Sequence, residues 1–375
     1  MAARDNAPVV DQPTHVSNAA RNALVILAVL ASGAAMVWLS PIVTPLALAV
    51  FLMLMIDAIG RDLQSRAPTL GSGGALTAAV VICVVAFALI VYVVAGHAAG
   101  FAAKLAAYQP RLNAVLAVLA RTLHMRIPRT VNALIASIDA ARYLGVVAVG
   151  VQSFVTYGAL VIIYVGFLLA SRHGFERKIV RLFQQREERH EAVQVFLRVR
   201  DSLERYLWIQ TLCGGIIAVG SWALMMAIGL EDSFFWAFLI FVIFYIPIVG
   251  AAVGIAAPAV FALLQFPTPW PAVFLALTLF GLAFIVGNIL LPRLQGKSLN
   301  IDPVMILLSL AFWGSIWGVT GMFLSTPLTL LVMVILAQFE GTRWIAVLLS
   351  ADGDPQGTGA APARLAPARA APEPA

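Results

Sequence analysis

Residues 288–339 read NILLPRLQGKSLNIDPVMILLSLAFWGSIWGVTGMFLSTPLTLLVMVILAQF. A long apolar run ends there in a short basic loop carrying Arg293 and Lys297. Asp302-Pro303 opens a second apolar run, which Gly314, Gly318 and Gly321 break and Pro327 interrupts again. A simple membrane anchor is about 20 uninterrupted apolar residues. Backbone broken at membrane depth survives only where protein or a wet cavity satisfies its polar groups. Paired broken segments of this kind mark a solute site in many membrane carriers.

The rest of the composition agrees with a membrane setting. Hydrophobic residues make up 61% of the chain and charged residues 11%, against about 25% charged in a soluble domain. The net charge of +6 needs no nucleic acid, because the basic residues fall mostly in loops, as the positive-inside rule expects. Cys83 and Cys213 lie inside apolar runs and read as small core residues. The five histidines are scattered, and no zinc-binding, phosphate-loop or nucleophile-elbow motif occurs. The sequence therefore offers no enzyme constellation, no cofactor and no metal site.

Taken in order, residues 1–21 form a polar tail. Three spans follow within 22–97: Asn22–Ser40, Ile42–Ile59 after the turn at Pro41, and Gly74–Gly96. Residues 98–146 carry six Lys/Arg among Ala, Leu and Val and predict amphipathic helices, placed externally by span counting. Residues 147–170 form a fourth span. The 171–206 stretch holds nine Lys/Arg with interleaved acids and predicts a solvated cytoplasmic helical hairpin. Residues 207–341 read as the transport core, and 342–375 as a disordered Ala/Pro-rich tail. The expected architecture is all-α and polytopic, with about eight membrane-embedded elements, two of them broken or re-entrant hairpins. Both termini are placed in the cytoplasm and the chain in a bacterial inner membrane.

Within the core, one span followed by one broken element occurs twice. Leu207–Ile228 precedes Phe234–Gln265, which Pro247, Gly250, Gly254 and Pro258 divide. Trp270–Leu291 precedes Val304–Phe339. The two spans run in opposite directions, so the pattern is an inverted repeat. Val304 to Trp317 is roughly 21 Å long at 1.5 Å per residue, short of a hydrocarbon core of about 30 Å. Tilted full-span hairpins are the alternative, and close helix packing alone also accounts for Gly314 and Gly318.

These residues carry a family resemblance. YIPIVGAAVGIAAPAV at 245–260, the signature-like run from Asn288 to Leu328, and ERYLWIQTLCGG at 204–215 resemble the autoinducer-2 exporter family. Within the long run, Asn288, Pro292, Gly296, Pro303, Gly314, Gly318, Gly321 and Pro327 match, whereas Leu291 stands where many members carry a polar residue. The resemblance implies a multi-span permease. One member exports a furanosyl signalling molecule, and others resemble sodium or lithium/proton antiporters. It also implies a homo-oligomer, with a pentamer as one form.

Two functions compete on the residues. For a permease or exporter of a small polar solute, the path candidates are Gln210, Tyr245, Pro247, Gly250, Asn288, Pro292, Gly318, Thr320 and Gly321. A monovalent cation/proton antiporter needs a titratable acid near a cavity, because acids at membrane depth are costly and tend to be functional. Asp57 and Asp302 are the candidates, against an interfacial pairing of Asp57 with Arg61 and a helix cap at Asp302. A membrane scaffold whose charged 171–206 segment recruits a partner is the non-transport alternative, and it leaves both broken elements without a role.

Overall fold

The structure, a computed structural model, describes residues 18–108, 110–111, 113–114, 140–182, 186–295 and 300–354. The expected N-terminal tail, the middle of 98–146, Gly296 with Lys297, and the chain beyond 354 lie outside the described residues. The chain divides into two compact units, 1–43 and 44–375. The first holds helix α1 (Asn18–Trp38), whose apolar side chains Leu24, Leu27, Leu30 and Trp38 are exposed.

The second unit is all-α among the described residues. It contains α2 (Ser40–Arg66), which begins in the first unit, α3 (Gly71–Ala107), α4 (Ala140–Leu182), α5 (Arg186–Ala227), α6 (Ser233–Ile243), α7 (Val249–Gln265), α8 (Trp270–Ile285), α9 (Leu291–Gln295), α10 (Pro303–Leu336) and α11 (Arg343–Leu349). Among the described residues six helices are long and apolar enough to cross a membrane. One of the six is α10, which Gly318 breaks, so five unbroken helices remain. The chain is a multi-pass membrane protein.

Three boundaries depart from the sequence expectation. First, α5 is 42 residues long, roughly 63 Å at 1.5 Å per residue, about twice a hydrocarbon core. The two helices expected in the charged 171–206 stretch are thus continuous with α4 and α5, and residues 183–185 between them lie outside the described residues. The physical reason is local: residues 186–206 are rich in Arg and Glu, and no Gly or Pro stops the helix. Second, α3 runs on to Ala107 and α4 starts at Ala140. The two ends of the expected amphipathic region therefore prolong spans. Third, residues 342–354 are not a loose tail. α11 buries Ala346 completely, and Ile301 pairs with Ser350 in an isolated antiparallel bridge. Asn300 Nδ2 donates to Asp352 Oδ1 at 2.5 Å and to the Asp354 carbonyl at 2.7 Å. Composition hid this clasp, because its bonds reach back about fifty residues.

Among the described residues, two apolar cores stand out in this unit. Ala49 and Ile56 of α2, Ala79 of α3, and Val161 and Val165 of α4 make one. Its helices approach closely: a Cβ at Gly158 would overlap the Phe87 ring. The larger core joins α5, α6, α7 and α8 through Ile209, Cys213, Ile217, Trp236, Ile240, Phe261, Leu275 and Leu279. On α5 the buried positions Leu203, Leu207, Gln210, Cys213, Ile217, Ser221 and Met225 recur every three to four residues, the stripe of a helix with one face inward.

Both broken elements are helical hairpins. In the first, α6 and α7 fold against each other around residues 244–248. Gly250 makes the approach possible, since a Cβ there would lie 2.4 Å from the Ile243 carbonyl oxygen. In the second, Gly318 adopts φ 60, ψ −142, a conformation that L side chains avoid. The arms then double back. A Cβ at Gly321 would lie 2.0 Å from the Trp313 carbonyl oxygen, and Trp313 Nε1 donates to Thr329 Oγ1 at 3.1 Å across the two arms. Residues 324–330 are buried on every side. The second arm is therefore a central rod, unlike any helix with a lipid face.

Candidate transport site between two helical hairpins

The first hairpin tip is held to α5 by polar groups. Gln210, 5% exposed, donates its Nε2 to the Phe244 carbonyl at 2.8 Å. That carbonyl lies where the helix ends, so a side chain replaces the missing backbone partner. One residue on, Thr211 Oγ1 and the Tyr245 hydroxyl lie 2.6 Å apart, and Thr211 also donates to the Leu207 carbonyl at 2.7 Å. Gln210 and Thr211 follow each other on α5 and grip two successive residues of the tip.

The two hairpins meet at this point. The Tyr245 ring stacks on Phe323 of α10 with centroids 5.1 Å apart and planes 24° apart. Phe241 meets Tyr245 edge-on at 5.9 Å. Behind the stack, Tyr206 of α5 faces Thr326 of α10. Thr326 Oγ1 is buried and makes no hydrogen bond within ordinary geometric limits. Tyr206, Gln210, Thr211, Tyr245 and Thr326 are thus neutral hydrogen-bonding groups along one seam between α5 and the hairpins. Neutral donors and acceptors suit a polar solute that sheds water on entry, because an unpaired polar group in a dry interior is costly.

Of the sequence candidates, Gln210 and Tyr245 stand in the seam, with Pro247 and Gly250 in the first tip. Gly318 is the break of the second hairpin. Gly321 is buried against Trp313, and Thr320 is half-buried between them. Asn288 and Pro292 are elsewhere: both are exposed. Asn288 sits in a π-helical turn, Val286–Leu290, and its Nδ2 donates to the Phe284 carbonyl at 3.2 Å. The wide turn has a cause in Pro292, which cannot donate and whose ring crowds the carbonyl four residues back, that of Asn288.

The two acid candidates differ. Asp302 is the N-cap of α10: its Oδ1 accepts the Val304 N–H at 2.8 Å, with Pro303 next in the first helical turn. Its carboxylate is thereby committed to the helix start. Asp57 is half-buried on α2. Arg61, the partner expected for Asp57, reaches Glu204 of α5, and Arg200 Nε lies 3.6 Å from Glu204 Oε1. Sequence reasoning passed over Glu204 as one acid among many in a charged stretch. Thr211, Phe323, Tyr206 and Thr326 were missed for a similar reason, since nothing local separates them from ordinary helix residues. A usable signal existed on α5, where polar Gln210 falls in an otherwise apolar buried stripe.

Comparison with known proteins supports this reading of the architecture. The chain is 36% identical over 169 residues to the AI-2 transport protein TqsA of Escherichia coli (strain K12), covering 45% of this chain and 49% of that protein. It is 29% identical over 187 residues to a "Putative transport protein" of Borreliella burgdorferi, covering 49% and 51%. A protein of the same printed name from Haemophilus influenzae is 30% identical over 206 residues, covering 53% and 57%. The matched region spans about half the length of these curated relatives. The family model described as AI-2E family transporter matches residues 24–341, nearly the whole described chain, and the chain belongs to that family.

Proposed function

We propose that the chain is a secondary transporter that carries a small polar solute along the seam between its two hairpin tips. The observation that carries this is the meeting of both hairpins at Tyr245 and Phe323, beside hydrogen-bonding groups that bear no charge. At 11 residues, α6 is roughly 16 Å long, and half a bilayer core is about 15 Å. A re-entrant tip near mid-membrane fits that length. The cargo is of the kind named for the Escherichia coli relative, the AI-2 signalling molecule, moved across a bacterial inner membrane with both termini in the cytoplasm. A solute carrier is favoured over a cation/proton antiporter because Asp302 is spent on a helix cap and Glu204 is paired with Arg61.

Proteoliposomes holding the purified chain test this. AI-2 uptake above that of empty vesicles, reduced by Gln210→Leu, is the expected result. A proton flux driven by a sodium gradient, with no AI-2 movement, overturns it in favour of antiport.

A further inference from the structure

We propose that the Tyr245–Phe323 stack is a gate, and that the strained tip of the first hairpin swings to part the two rings and open the seam behind them. The proposal rests on the solute path proposed above. Ile248 sits at the tip with φ 64 and ψ −52. A β-branched residue at positive φ is a backbone outlier, and strain of this kind persists only where surrounding structure enforces it. The Ile248 side chain does not enforce it, being 55% exposed. A tight turn closes on Ile248 through the Val249 N–H and the Pro247 carbonyl at 2.6 Å, and further contacts hold the preceding residues: the Gln210 bond to the Phe244 carbonyl, the Thr211 contact with the Tyr245 hydroxyl, and the ring stack on Phe323.

The other ring also lies near a backbone break. Phe323 follows Gly318, whose positive φ bends α10 and around which a Cβ would meet nothing within 4 Å. Each ring therefore lies three to five residues from a backbone position at positive φ, Ile248 or Gly318. The closed arrangement also leaves a cost beside the rings, since Thr326 Oγ1 is buried and faces Tyr206 outside ordinary hydrogen-bond geometry. Parting the rings relieves both: Ile248 leaves its outlier conformation, and Thr326 meets water or a solute hydroxyl. A closed state carrying strain and a poorly paired hydroxyl, offset by a small latch, is a two-state element that a ligand with modest preference for the open form can shift.

Two readouts test this in full-length protein with Cys83→Ala and Cys213→Ala. The first does not involve the cargo. With Thr326→Cys, labelling by a small cationic methanethiosulfonate is measured with intact rings and with Phe323→Ala. Labelling at least tenfold faster in the Phe323→Ala protein is expected. Tyr245→Phe, which keeps the stack and removes only the hydroxyl, gives a smaller acceleration of two- to fivefold. Equal rates in all three overturn the gate. The second readout joins Tyr245→Cys to Phe323→Cys with a short bis-methanethiosulfonate in proteoliposomes. At least a tenfold loss of AI-2 flux, restored by dithiothreitol, is expected. Full flux through protein whose mass shows the bridge intact overturns the gate. If no protein moves AI-2, bridged or not, the cargo is wrong, and the labelling rates at position 326 still decide the gate.

Discussion

Arg61 of α2 and Glu204 of α5 form an ion pair between positions 143 residues apart. Glu204 is largely buried, 14% exposed, and Arg61 is about half exposed. The pair puts the end of α2 and the lower part of α5 at one level of the molecule. The α4 and α5 extensions lead away from the apolar body next to that level. The basic end of α2, with Arg61 and Arg66, thus lies beside the charged part of α5, and the positive-inside rule supports the proposal that this end faces the cytoplasm. Cysteines placed at Arg186 and Asp232 in a cysteine-free protein should label only from the cytoplasm and only from outside, respectively. Labelling of the first by an impermeant reagent on intact cells would reverse the topology.

The same pair sets a stability expectation. Arg61→Ala leaves Glu204 with Arg200 alone. Because Arg61 is half exposed, the loss is held to about 1 kcal/mol. Glu204→Gln in the Arg61→Ala protein should recover most of it, since no unpaired charge remains. Thermal unfolding in detergent measures both. Further destabilisation of the double variant would show that the pair does not act through charge.

Asp302 gives a sharper test of the coupling alternatives. Its Oδ1 caps α10, a role Asn fills as well as Asp. Asp302→Asn should leave unfolding temperature and transport within a few-fold of the parent protein, whereas Asp302→Ala should cost about 1 kcal/mol. Asp57→Asn should also leave transport within a few-fold. Abolished flux at normal membrane levels in either Asn variant would instead identify a proton or cation site.

How far the residues disclosed all this depends on range. Both breaks were legible because Gly318, Gly321, Pro247 and Gly250 are local punctuation: a helix cannot pass them unchanged, whatever its neighbours. The capping role of Asp302 was legible for the same reason. The partner of Tyr245 was not. Phe323 is one of 21 phenylalanines in a chain where lipid-facing and core-facing aromatics look alike, and the stack joins two separate hairpins. The helices of the charged 171–206 stretch were expected, charged residues being good helix formers, but their unbroken continuity with α4 and α5 was not. Asn288 is the converse case. A lone polar residue in an apolar run suggested a ligand group, and its amide serves the Phe284 carbonyl at an exposed π turn.

Trp313 and Thr329 measure how firmly the second hairpin is closed. Their bond is buried, so Thr329→Val leaves the indole N–H without a partner. The expected cost is about 1–3 kcal/mol, read as a lower unfolding temperature, while Thr329→Ser, which keeps the acceptor, should stay close to the parent. Equal losses in both would point to the methyl group's packing and away from the hydrogen bond.

The glycines of the two hairpins separate steric need from conformational need. A Cβ at Gly250 or Gly321 would fall 2.4 Å or 2.0 Å from a backbone carbonyl oxygen of the facing arm. Backbone cannot swing aside as a side-chain tip can, so Gly250→Ala and Gly321→Ala must spread their hairpins and move Tyr245 or Phe323. Gly318 has open space around it but a positive φ, so Gly318→Ala is strained by roughly 1–3 kcal/mol without any clash. Gly281 on α8 has neither problem: its φ is ordinary and a Cβ there meets nothing within 4 Å. The expected order of AI-2 flux in proteoliposomes is therefore Gly281→Ala near parent, Gly318→Ala reduced several-fold, and Gly250→Ala and Gly321→Ala reduced tenfold or more. Membrane levels and unfolding temperature are measured alongside to separate misfolding from blocked transport. Parent-like flux in properly folded Gly250→Ala and Gly321→Ala would mean that the close approach of the arms is packing alone, and the path would have to be sought away from the hairpin tips.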